Sequence, residues 1–302
     1  MSFEVRGCGT ALVTPFRKDG SVDEAALRRL VQFQLRGGID FLVPCGTTGE
    51  TPTLEHGEYL GVIRMVGREA GGKVPIVAGV GGNNTDKVCD LAHEVEDLGV
   101  QAILSVAPYY NKPTQEGLYQ HFKAIAESTR LPIIIYNVPG RTSSNIEPAT
   151  VARLAQVPNI IGIKEASGSI VQQMEVLNAV PPGFLVLSGD DAFTFPLIAV
   201  GGVGVISVVS NEIPDLMVRL THLALDGNYE EARKLNARLL PLMQMNFIET
   251  NPIPVKAALA MMGMIEEIYR LPMVPMKPEN RAKLERILDA QGLIPHKAAS
   301  QA

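Results

Sequence analysis

Short apolar segments alternate eight times with longer amphipathic segments along this chain, and this alternation restricts the possible folds more than any other feature. The apolar segments cover residues 9–13, 41–44, 76–79, 102–107, 133–137, 160–164, 184–188 and 203–209. The amphipathic segments cover residues 24–36, 55–69, 86–98, 115–128, 147–155, 170–179, 192–200 and 214–225. Strands that alternate with helices favour a parallel sheet covered by helices. Eight such units in succession predict an α/β fold, the (β/α)8 TIM barrel.

A doubly wound open sheet is the alternative arrangement of alternating strands and helices. Such a sheet normally carries a glycine-rich phosphate loop after its first strand. The corresponding segment here contains Gly7 and Gly9 but lacks the third glycine of that loop. The barrel is therefore the favoured prediction.

The pattern changes after residue 226, where three helical segments follow without a strand between them. They cover residues 229–249, 254–262 and 279–290. We therefore predict two parts, a catalytic barrel of residues 1–226 and a C-terminal helical domain of residues 227–302. Since no low-complexity linker separates them, we expect them to form one rigid body.

The charge and the apolar content exclude several classes of protein. The net charge is −5 and the pI about 5.6, unlike the basic surface of a nucleic-acid binder. No apolar segment reaches the length of a membrane-spanning helix, and residues 1–6 lack the apolar core of a signal peptide. The three cysteines, Cys8, Cys45 and Cys89, are odd in number and widely spaced, which favours reduced, buried thiols. We expect a cytoplasmic location.

Lys164 ends the apolar segment 160–164, which otherwise has the composition of a buried strand. Burial disfavours the ammonium form of a lysine and lowers its pKa. A lysine that is partly neutral near pH 7 can attack a carbonyl carbon and form a Schiff base. The alternative is a lysine whose long side chain reaches from the strand end to solvent.

Polar residues also follow the other predicted strands, where the catalytic residues of a TIM barrel lie. They are Gly46-Thr47-Thr48-Gly49-Glu50, Tyr109-Tyr110-Asn111, Tyr136, Asn137, Arg141, Gly189-Asp190-Asp191 and Ser207. Each also has a structural interpretation. The threonine segment can be a tight turn, the tyrosine pair can pack, Arg141 can be a surface charge, and the two aspartates can cap a helix.

No metal site is predicted. The histidines lack the spacing of metal ligands; they are His56, His93, His121, His222 and His296. The sequence also contains no Walker A loop, HExxH motif or nucleophile elbow.

Together these strand-end motifs resemble the pyruvate-dependent class I aldolase, or N-acetylneuraminate lyase, family. The motifs are Gly46-Thr47-Thr48-Gly49-Glu50, Tyr109-Tyr110-Asn111, Tyr136-Asn137-Val138-Pro139, Gly162-Ile163-Lys164-Glu165 and Gly204-Val205-Ile206-Ser207. The similarity extends to residues 251–256 and 271–272 of the helical part. Arg141 and the double threonine are similar to the branch that condenses pyruvate with L-aspartate 4-semialdehyde, since the neuraminate lyases carry Ser-Thr instead.

The resemblance implies four catalytic residues. Lys164 would form the Schiff base with pyruvate, and Tyr136 would donate and accept protons beside it. Thr47 and Tyr110 would complete a relay of hydroxyl groups with Tyr136. Such a relay makes a phenol usable as a base, which its ordinary pKa near 10 would not allow. No metal or organic cofactor is implied.

The resemblance also implies the substrate contacts. Thr48 and Ile206 would hold the carboxylate and carbonyl of pyruvate, partly through backbone groups, and Gly189 is a further predicted substrate-binding residue. Arg141 would bind the carboxylate of L-aspartate 4-semialdehyde, because a guanidinium makes a two-pronged contact with a carboxylate. The implied product is 4-hydroxy-tetrahydrodipicolinate, in the diaminopimelate route to lysine.

The resemblance further implies an assembly and a remnant regulatory site. We expect a homotetramer, a dimer of dimers, in which Tyr110 reaches the active site of a partner subunit. Relatives inhibited by lysine bind it at a subunit interface, and the matching positions are Thr51, His56, Tyr59, Asn83, Lys87 and Tyr109. Lysine-sensitive relatives carry histidine at position 59 and glutamate at position 87. We therefore expect weak inhibition by lysine or none.

Two other functions remain open at this point. One is another aldolase of the same fold, acting on 2-keto-3-deoxy sugar acids or 4-hydroxy-2-oxoglutarate, with the same chemistry at Lys164 and Tyr136. The other is a non-catalytic barrel that senses small acids. Arg141 argues against the first, and the complete set of catalytic residues argues against the second.

Overall fold

Eight parallel strands surround a closed interior in this computed structural model, which describes residues 5–295. The strands are β1 (Gly7–Ala11), β2 (Phe41–Val43), β3 (Val77–Gly79), β4 (Ala102–Val106), β5 (Ile133–Asn137), β6 (Ile160–Glu165), β7 (Leu185–Ser188) and β8 (Gly204–Ser207). Each strand except β2 pairs in a ladder with the next strand in sequence, and β1 also pairs with β8. A parallel bridge between Leu42 and Ile76 joins β2 to β3. The predicted (β/α)8 barrel is confirmed.

Helices cover the outside of the barrel. They are α1 (Glu24–Arg36), α2 (His56–Ala70), α3 (Thr85–Glu96), α4 (Gln115–Ser128), α5 (Pro139–Thr142), α6 (Pro148–Leu154), α7 (Ile170–Ala179), α8 (Thr194–Ala199), α9 (Pro214–Leu225), α10 (Tyr229–Met245), α11 (Ile253–Met261) and α12 (Pro278–Ala290). Their starts follow local capping signals. Asp23 accepts a hydrogen bond from the Ala26 amide, and Ser169 accepts one from the Gln172 amide.

The alternation of side chains along each strand builds two apolar layers. On β5, Ile133 and Ile135 pack outward against the helices, whereas Ile134 and Tyr136 point into the barrel. Because successive residues of a strand face opposite sides, one strand supplies both the core and the site. Full burial of one such isoleucine contributes roughly 1.5–3 kcal/mol.

The three last helices pack onto the barrel as one group: α10 contacts α8 and α9, α11 contacts the turn after β8, and α12 packs against α10 and α11. One continuous apolar cluster includes Leu239 of α10 and Leu284 of α12 together with barrel residues such as Ile63 and Phe122. The division at residue 226 stays a prediction. Within residues 5–295, no helix is long and apolar enough to cross a membrane.

Several predicted boundaries differ from the observed ones, most of them by one or two residues. β1 begins at Gly7 rather than at residue 9, because the Gly7 amide is already hydrogen-bonded to the Val203 carbonyl beside β8. Helix α10 ends at Met245 rather than at residue 249. The short helix α5 lies between two predicted elements, in a segment for which the sequence pattern predicts no helix.

Candidate active site

A cleft of about 1390 Å³ opens at the carboxyl ends of the strands. Six of the predicted site residues line it: Thr47, Thr48, Tyr136, Arg141, Lys164 and Gly189. They come from segments far apart in the sequence, and the closed barrel brings these strand ends together. The cleft therefore lies at the end of the barrel where the active sites of TIM-barrel enzymes are found.

Lys164 lies at the base of this cleft with 5% of its surface exposed. Burial lowers the pKa of its amine to about 8, the nearby Asp191 and Asp190 carboxylates oppose this shift, and the Arg141 guanidinium adds to it. At pH 7 a pKa of about 8 leaves roughly a tenth of the enzyme with a neutral, nucleophilic amine at this position, far more than an exposed lysine would have. Its Nζ lies 4.3 Å from the centre of the Tyr136 ring.

Tyr136 stands opposite Lys164 in the sheet, because the register of β5 and β6 pairs these two residues. Burial raises the pKa of the phenol. The Arg141 guanidinium and a hydrogen bond with the Thr47 side chain act in the opposite direction. Thr47 and Tyr136 thus form two links of a hydroxyl relay beside the Lys164 amine.

Gly189 provides the space that the Lys164 side chain occupies. A Cβ atom at position 189 would lie 2.7 Å from the Ala166 Cβ and 3.0 Å from the Lys164 Cε. A larger residue would push against the methylene chain of the lysine. The packing around Lys164 is therefore a second reason for a glycine at position 189, besides the predicted contact with the substrate.

Asn251 joins two predicted site residues, although the sequence analysis assigned it no role. Its Nδ2 donates to the Thr48 Oγ1 at 3.0 Å, and its carbonyl accepts from the Arg141 Nη2 at 3.1 Å. Asn251 lines the cleft and is buried. The sequence did contain one signal for Asn251. It is a polar residue at the start of residues 251–256, the segment of the helical part to which the family resemblance extends.

A buried ion pair lies directly behind the two threonines. Glu50 accepts a hydrogen bond from the Lys256 Nζ, and both side chains are inaccessible to solvent. Lys256 also lies over the Phe16 ring, and the second oxygen of Glu50 accepts from the Arg270 amide at 3.3 Å. Glu50 has a left-handed backbone, with φ of 52°. These contacts fix the turn that presents Thr47 and Thr48.

Asp190 and Asp191 differ in role. Asp190 caps the turn that follows it by accepting from the Ala192 amide at 2.9 Å, as the capping interpretation predicted. Asp191 instead reaches across to β8, where one carboxylate oxygen accepts from the Val208 and Val209 amides at 3.0 Å each. Burial raises the pKa of Asp191 to about 6. Asp191 is therefore ionised near pH 8, and its negative charge raises the pKa of Lys164.

Two of the eight predicted catalytic and substrate-binding residues do not line the cleft. Ile206 is fully buried in the barrel interior, in the same apolar cluster as Tyr136. Tyr110 follows β4 and is 89% exposed. Within a single chain, Tyr110 therefore does not join the relay of Thr47 and Tyr136.

The predicted remnant lysine site adjoins the same cleft. The lining of the cleft includes five of the six lysine-site residues: Thr51, His56, Tyr59, Lys87 and Tyr109. Asn83 stands outside the lining but donates to the Tyr109 carbonyl at 3.2 Å. The Tyr59 hydroxyl donates to the Gly79 carbonyl at 2.7 Å. His56 lies 2.9 Å from the Glu94 carboxylate.

Potential metal ligands are dispersed. In the part of the chain that the structure describes, no group of three or more His, Cys, Asp or Glu side chains could hold a metal ion. His296 lies outside the described residues. Cys8, Cys45 and Cys89 are free thiols, and the first two are buried.

The sequence matches one family model over almost its whole length. Residues 4–291 match the model of the dihydrodipicolinate synthetase family. A curated relative from Koribacter versatilis, named 4-hydroxy-tetrahydrodipicolinate synthase, is 59% identical over 299 residues. That match covers 99% of this chain and 100% of the relative.

Solved structures agree in fold at high identity. A dihydrodipicolinate synthase from Acinetobacter baumannii, described as chloride inhibited and complexed with pyruvate, has a TM-score of 0.95 at 43% identity and covers 96% of this chain and 100% of its own. A structure described as the first monomeric dihydrodipicolinate synthase variant has a TM-score of 0.94 at 46% identity. That match covers 96% of this chain and 97% of the variant.

Proposed function

Since the chain belongs to the dihydrodipicolinate synthetase family, we propose that it condenses pyruvate with L-aspartate 4-semialdehyde to form 4-hydroxy-tetrahydrodipicolinate. The observation that carries this proposal is Lys164, a buried amine of lowered pKa beside Tyr136 in a cleft at the strand ends. The enzyme is a lyase of the class I aldolase type and acts through an imine.

The first step joins pyruvate to the enzyme. The neutral Lys164 amine attacks the keto carbon of pyruvate, and the resulting carbinolamine loses water to give the imine. Tyr136, with Thr47, delivers and removes the protons of this step. Thr48 and backbone groups near Ile206 hold the carboxylate and keto oxygen of pyruvate.

The second step forms the carbon–carbon bond. The protonated imine draws electrons from the pyruvate methyl group, which loses a proton and becomes the nucleophilic carbon of an enamine. That carbon attacks the aldehyde of the second substrate, whose carboxylate is held by the Arg141 guanidinium. The amino group of the same substrate then attacks the imine carbon, closes the ring and releases Lys164. The chain's own side chains suffice for these steps, so the proposal includes no metal or organic cofactor.

The competing functions are less well supported. An aldolase for 2-keto-3-deoxy sugar acids would keep Lys164 and Tyr136 but would take an aldehyde without a carboxylate for Arg141 to bind. An aldolase for 4-hydroxy-2-oxoglutarate would take glyoxylate, which carries a carboxylate, so only the acceptor assay separates it from the synthase. The names of the curated relatives support the synthase reaction. A non-catalytic sensor would not need a lysine of lowered pKa next to a hydroxyl relay.

We place the reaction in the cytoplasm, in the diaminopimelate route to lysine, and assign the enzyme a homotetrameric assembly, a dimer of dimers. The support for assembly comes from exposed apolar side chains. Tyr110 is 89% exposed and does not line its own cleft, as expected of a residue that acts in the cleft of a partner. Val171 and Met174 on α7 and Val200 after α8 are also exposed apolar side chains.

Borohydride reduction in the presence of pyruvate tests the imine. We expect a stable added mass on the peptide that contains Lys164, and no added mass in Lys164→Ala. Lys123→Ala, which removes an exposed lysine from α4, serves as the matched control and should label normally. Label on another lysine would contradict the assignment.

A coupled assay then tests the acceptor. Pyruvate is offered with L-aspartate 4-semialdehyde, with glyceraldehyde and with glyoxylate, and kcat/KM is compared. We expect L-aspartate 4-semialdehyde to give the highest value. A clear preference for either other aldehyde would support one of the alternative aldolases instead.

A further inference from the structure

The two strands that present Tyr136 and Lys164 to the cleft carry a second pair of polar side chains on their opposite face. The register pairs Tyr136 with Lys164 and, one residue later, Asn137 with Glu165. Because side chains alternate along a strand, Asn137 and Glu165 point outward, toward the helix layer. Both are fully buried.

Glu165 has a carboxylate that is satisfied by three N–H donors. The Asn137 Nδ2 donates at 3.0 Å, the Gln172 Nε2 at 3.3 Å and the Ser167 amide at 2.6 Å. Hydrogen bonds to a charged acceptor are stronger than those between neutral groups. The charge of Glu165 therefore fixes the orientation of both amide side chains.

Asn145 completes this network. Its Oδ1 accepts from the Asn137 Nδ2 at 2.9 Å and from the Gln172 Nε2 at 3.0 Å, and its Nδ2 donates to the Gln172 Oε1 at 2.9 Å. The Asn137 Oδ1 accepts from the Ile146 amide at 2.9 Å. The network thus joins β5, β6 and α7 to residues 145–146.

The segment between these anchor points carries Arg141. It leaves β5 after Asn137, forms the single turn of α5 and returns to the network at Asn145. Inside the segment, the Thr142 Oγ1 bonds to the Val138 and Ser144 carbonyls at 3.2 and 2.9 Å. The position of Arg141 relative to Lys164 therefore depends on where the network holds the far end of the segment.

We propose that Asn137, Asn145, Glu165 and Gln172 are positioning residues that set the Arg141 guanidinium at the distance from Lys164 that the second substrate requires. The four residues do not touch the substrate. Their effect is on the aldehyde whose carboxylate Arg141 binds, and not on the imine with pyruvate. The inference rests on the function proposed above.

Asn145→Ala tests this proposal, because Asn145 is only half-buried and its replacement leaves the apolar core intact. We expect KM for L-aspartate 4-semialdehyde to rise about 5- to 10-fold, the effect of one lost net hydrogen bond. KM for pyruvate and the yield of borohydride trapping should stay within twofold of the wild type. Gln172→Ala, from the other side of the network, should behave in the same way.

Gln120→Ala is the matched control, since it removes an exposed amide from α4 that bonds only to Glu116 at 2.8 Å within the described part of the chain. It should change neither KM.

The Arg141→Ala background gives the sharper test. If Asn145 acts through Arg141, adding Asn145→Ala to Arg141→Ala should raise KM for the aldehyde by less than twofold further.

Two outcomes would overturn the inference. One is an equal loss for both substrates in Asn145→Ala, which would indicate a general structural role. The other is a full additional loss in the Arg141→Ala background. If the wild type itself does not use L-aspartate 4-semialdehyde, the proposed function fails instead, so the two failures are distinguishable.

Discussion

The reactivity of Lys164 depends on a balance between lost hydration and nearby carboxylates. Burial lowers the pKa of the amine to about 8, while Asp191 and Asp190 hold it above the value that burial alone would give. Since the amine attacks only as the neutral base, its pKa decides how much enzyme is reactive at a given pH. One pKa unit changes the reactive fraction up to tenfold.

We predict that kcat/KM for pyruvate rises with pH and levels off above about pH 8, the pKa of Lys164. Below that value the ammonium form predominates and cannot attack. Replacing Asp191 with asparagine removes a negative charge that favours the ammonium form, so the rise should move to lower pH. A pH–rate profile of both proteins checks this prediction. A rise in Asp191→Asn at the same pH as in the wild type would contradict the role given to Asp191.

Gly189→Ala should impair imine formation without unfolding the protein. The new Cβ would lie 2.7 Å from the Ala166 Cβ and 3.0 Å from the Lys164 Cε, so the lysine side chain must move. Displacing a reacting atom by about 1 Å can reduce a rate roughly 10²-fold. We expect slower borohydride trapping with pyruvate and an unchanged circular dichroism spectrum. Gly140→Ala, at a position where a Cβ meets no atom within 4 Å, is the control. Trapping at the wild-type rate in Gly189→Ala would show that the glycine is not needed for space.

Among the structural elements, the turn after β2 depends most on distant parts of the chain. Glu50 ends the turn, and its carboxylate is held by Lys256 of α11 and by the Arg270 amide. Arg270 itself donates to both oxygens of Glu58 at 2.6 Å and to the Gly20 carbonyl. The C-terminal helices therefore take part in shaping the active site.

Lys256→Met should destabilise the protein by about 3–5 kcal/mol, because it leaves the Glu50 charge buried without a cation. Urea unfolding measures this change. The double variant Glu50→Gln with Lys256→Met removes both charges and should recover part of the loss. If the single and double variants were equally stable, the ion pair would not be the source of the effect.

The regular elements were predictable because their signals are local. Helix α1 begins after Asp23, α7 begins after Ser169, and both caps stand in the sequence beside the apolar periodicity that they start. Helix α5 was not predictable in the same way. It is only four residues long, contains Pro139 and Gly140, and takes its position from the buried network around Asn137.

The candidate site was predictable in part. Lys164, Tyr136 and Arg141 stand next to strand ends, so the barrel topology and the family resemblance brought them to one cleft. The contacts of Asn251 with Thr48 and of Lys256 with Glu50 join residues 203 and 206 positions apart. No local pattern indicates which distant side chains will meet, so these contacts became visible only in the structure.

For the whole molecule, assembly is the first property to test. We predict that the enzyme sediments as a tetramer and that Val171→Asp reduces it to dimers, because a carboxylate would be placed on the exposed apolar surface of α7. Sedimentation velocity measures both states. Gln120→Asp, which adds the same charge on the exposed side of α4, should remain tetrameric. A wild type that is a fully active monomer at all concentrations would refute the assembly.

Regulation by lysine is the second property of the whole molecule. We predict no half-inhibition by sub-millimolar L-lysine at fixed pyruvate, because Lys87 lines the cleft where lysine-sensitive relatives carry glutamate. Its charge repels a cationic ligand, and a difference of about 3 kcal/mol changes affinity more than a hundredfold. Lys87→Glu should increase sensitivity in the same activity titration. Strong inhibition of the wild type would show that Lys87 lies away from the ligand.

The ion pair of Glu50 and Lys256 also constrains biosynthesis. Glu50 emerges from the ribosome long before its partners, which follow 206 and 220 residues later. Until Lys256 has been synthesised, the Glu50 carboxylate lacks the cation with which it is buried. The turn after β2 must therefore stay exposed to water. The enzyme thus acquires its catalytic geometry only after α11 has been synthesised, and a truncated product lacking α11 would carry every strand of the barrel but no finished site.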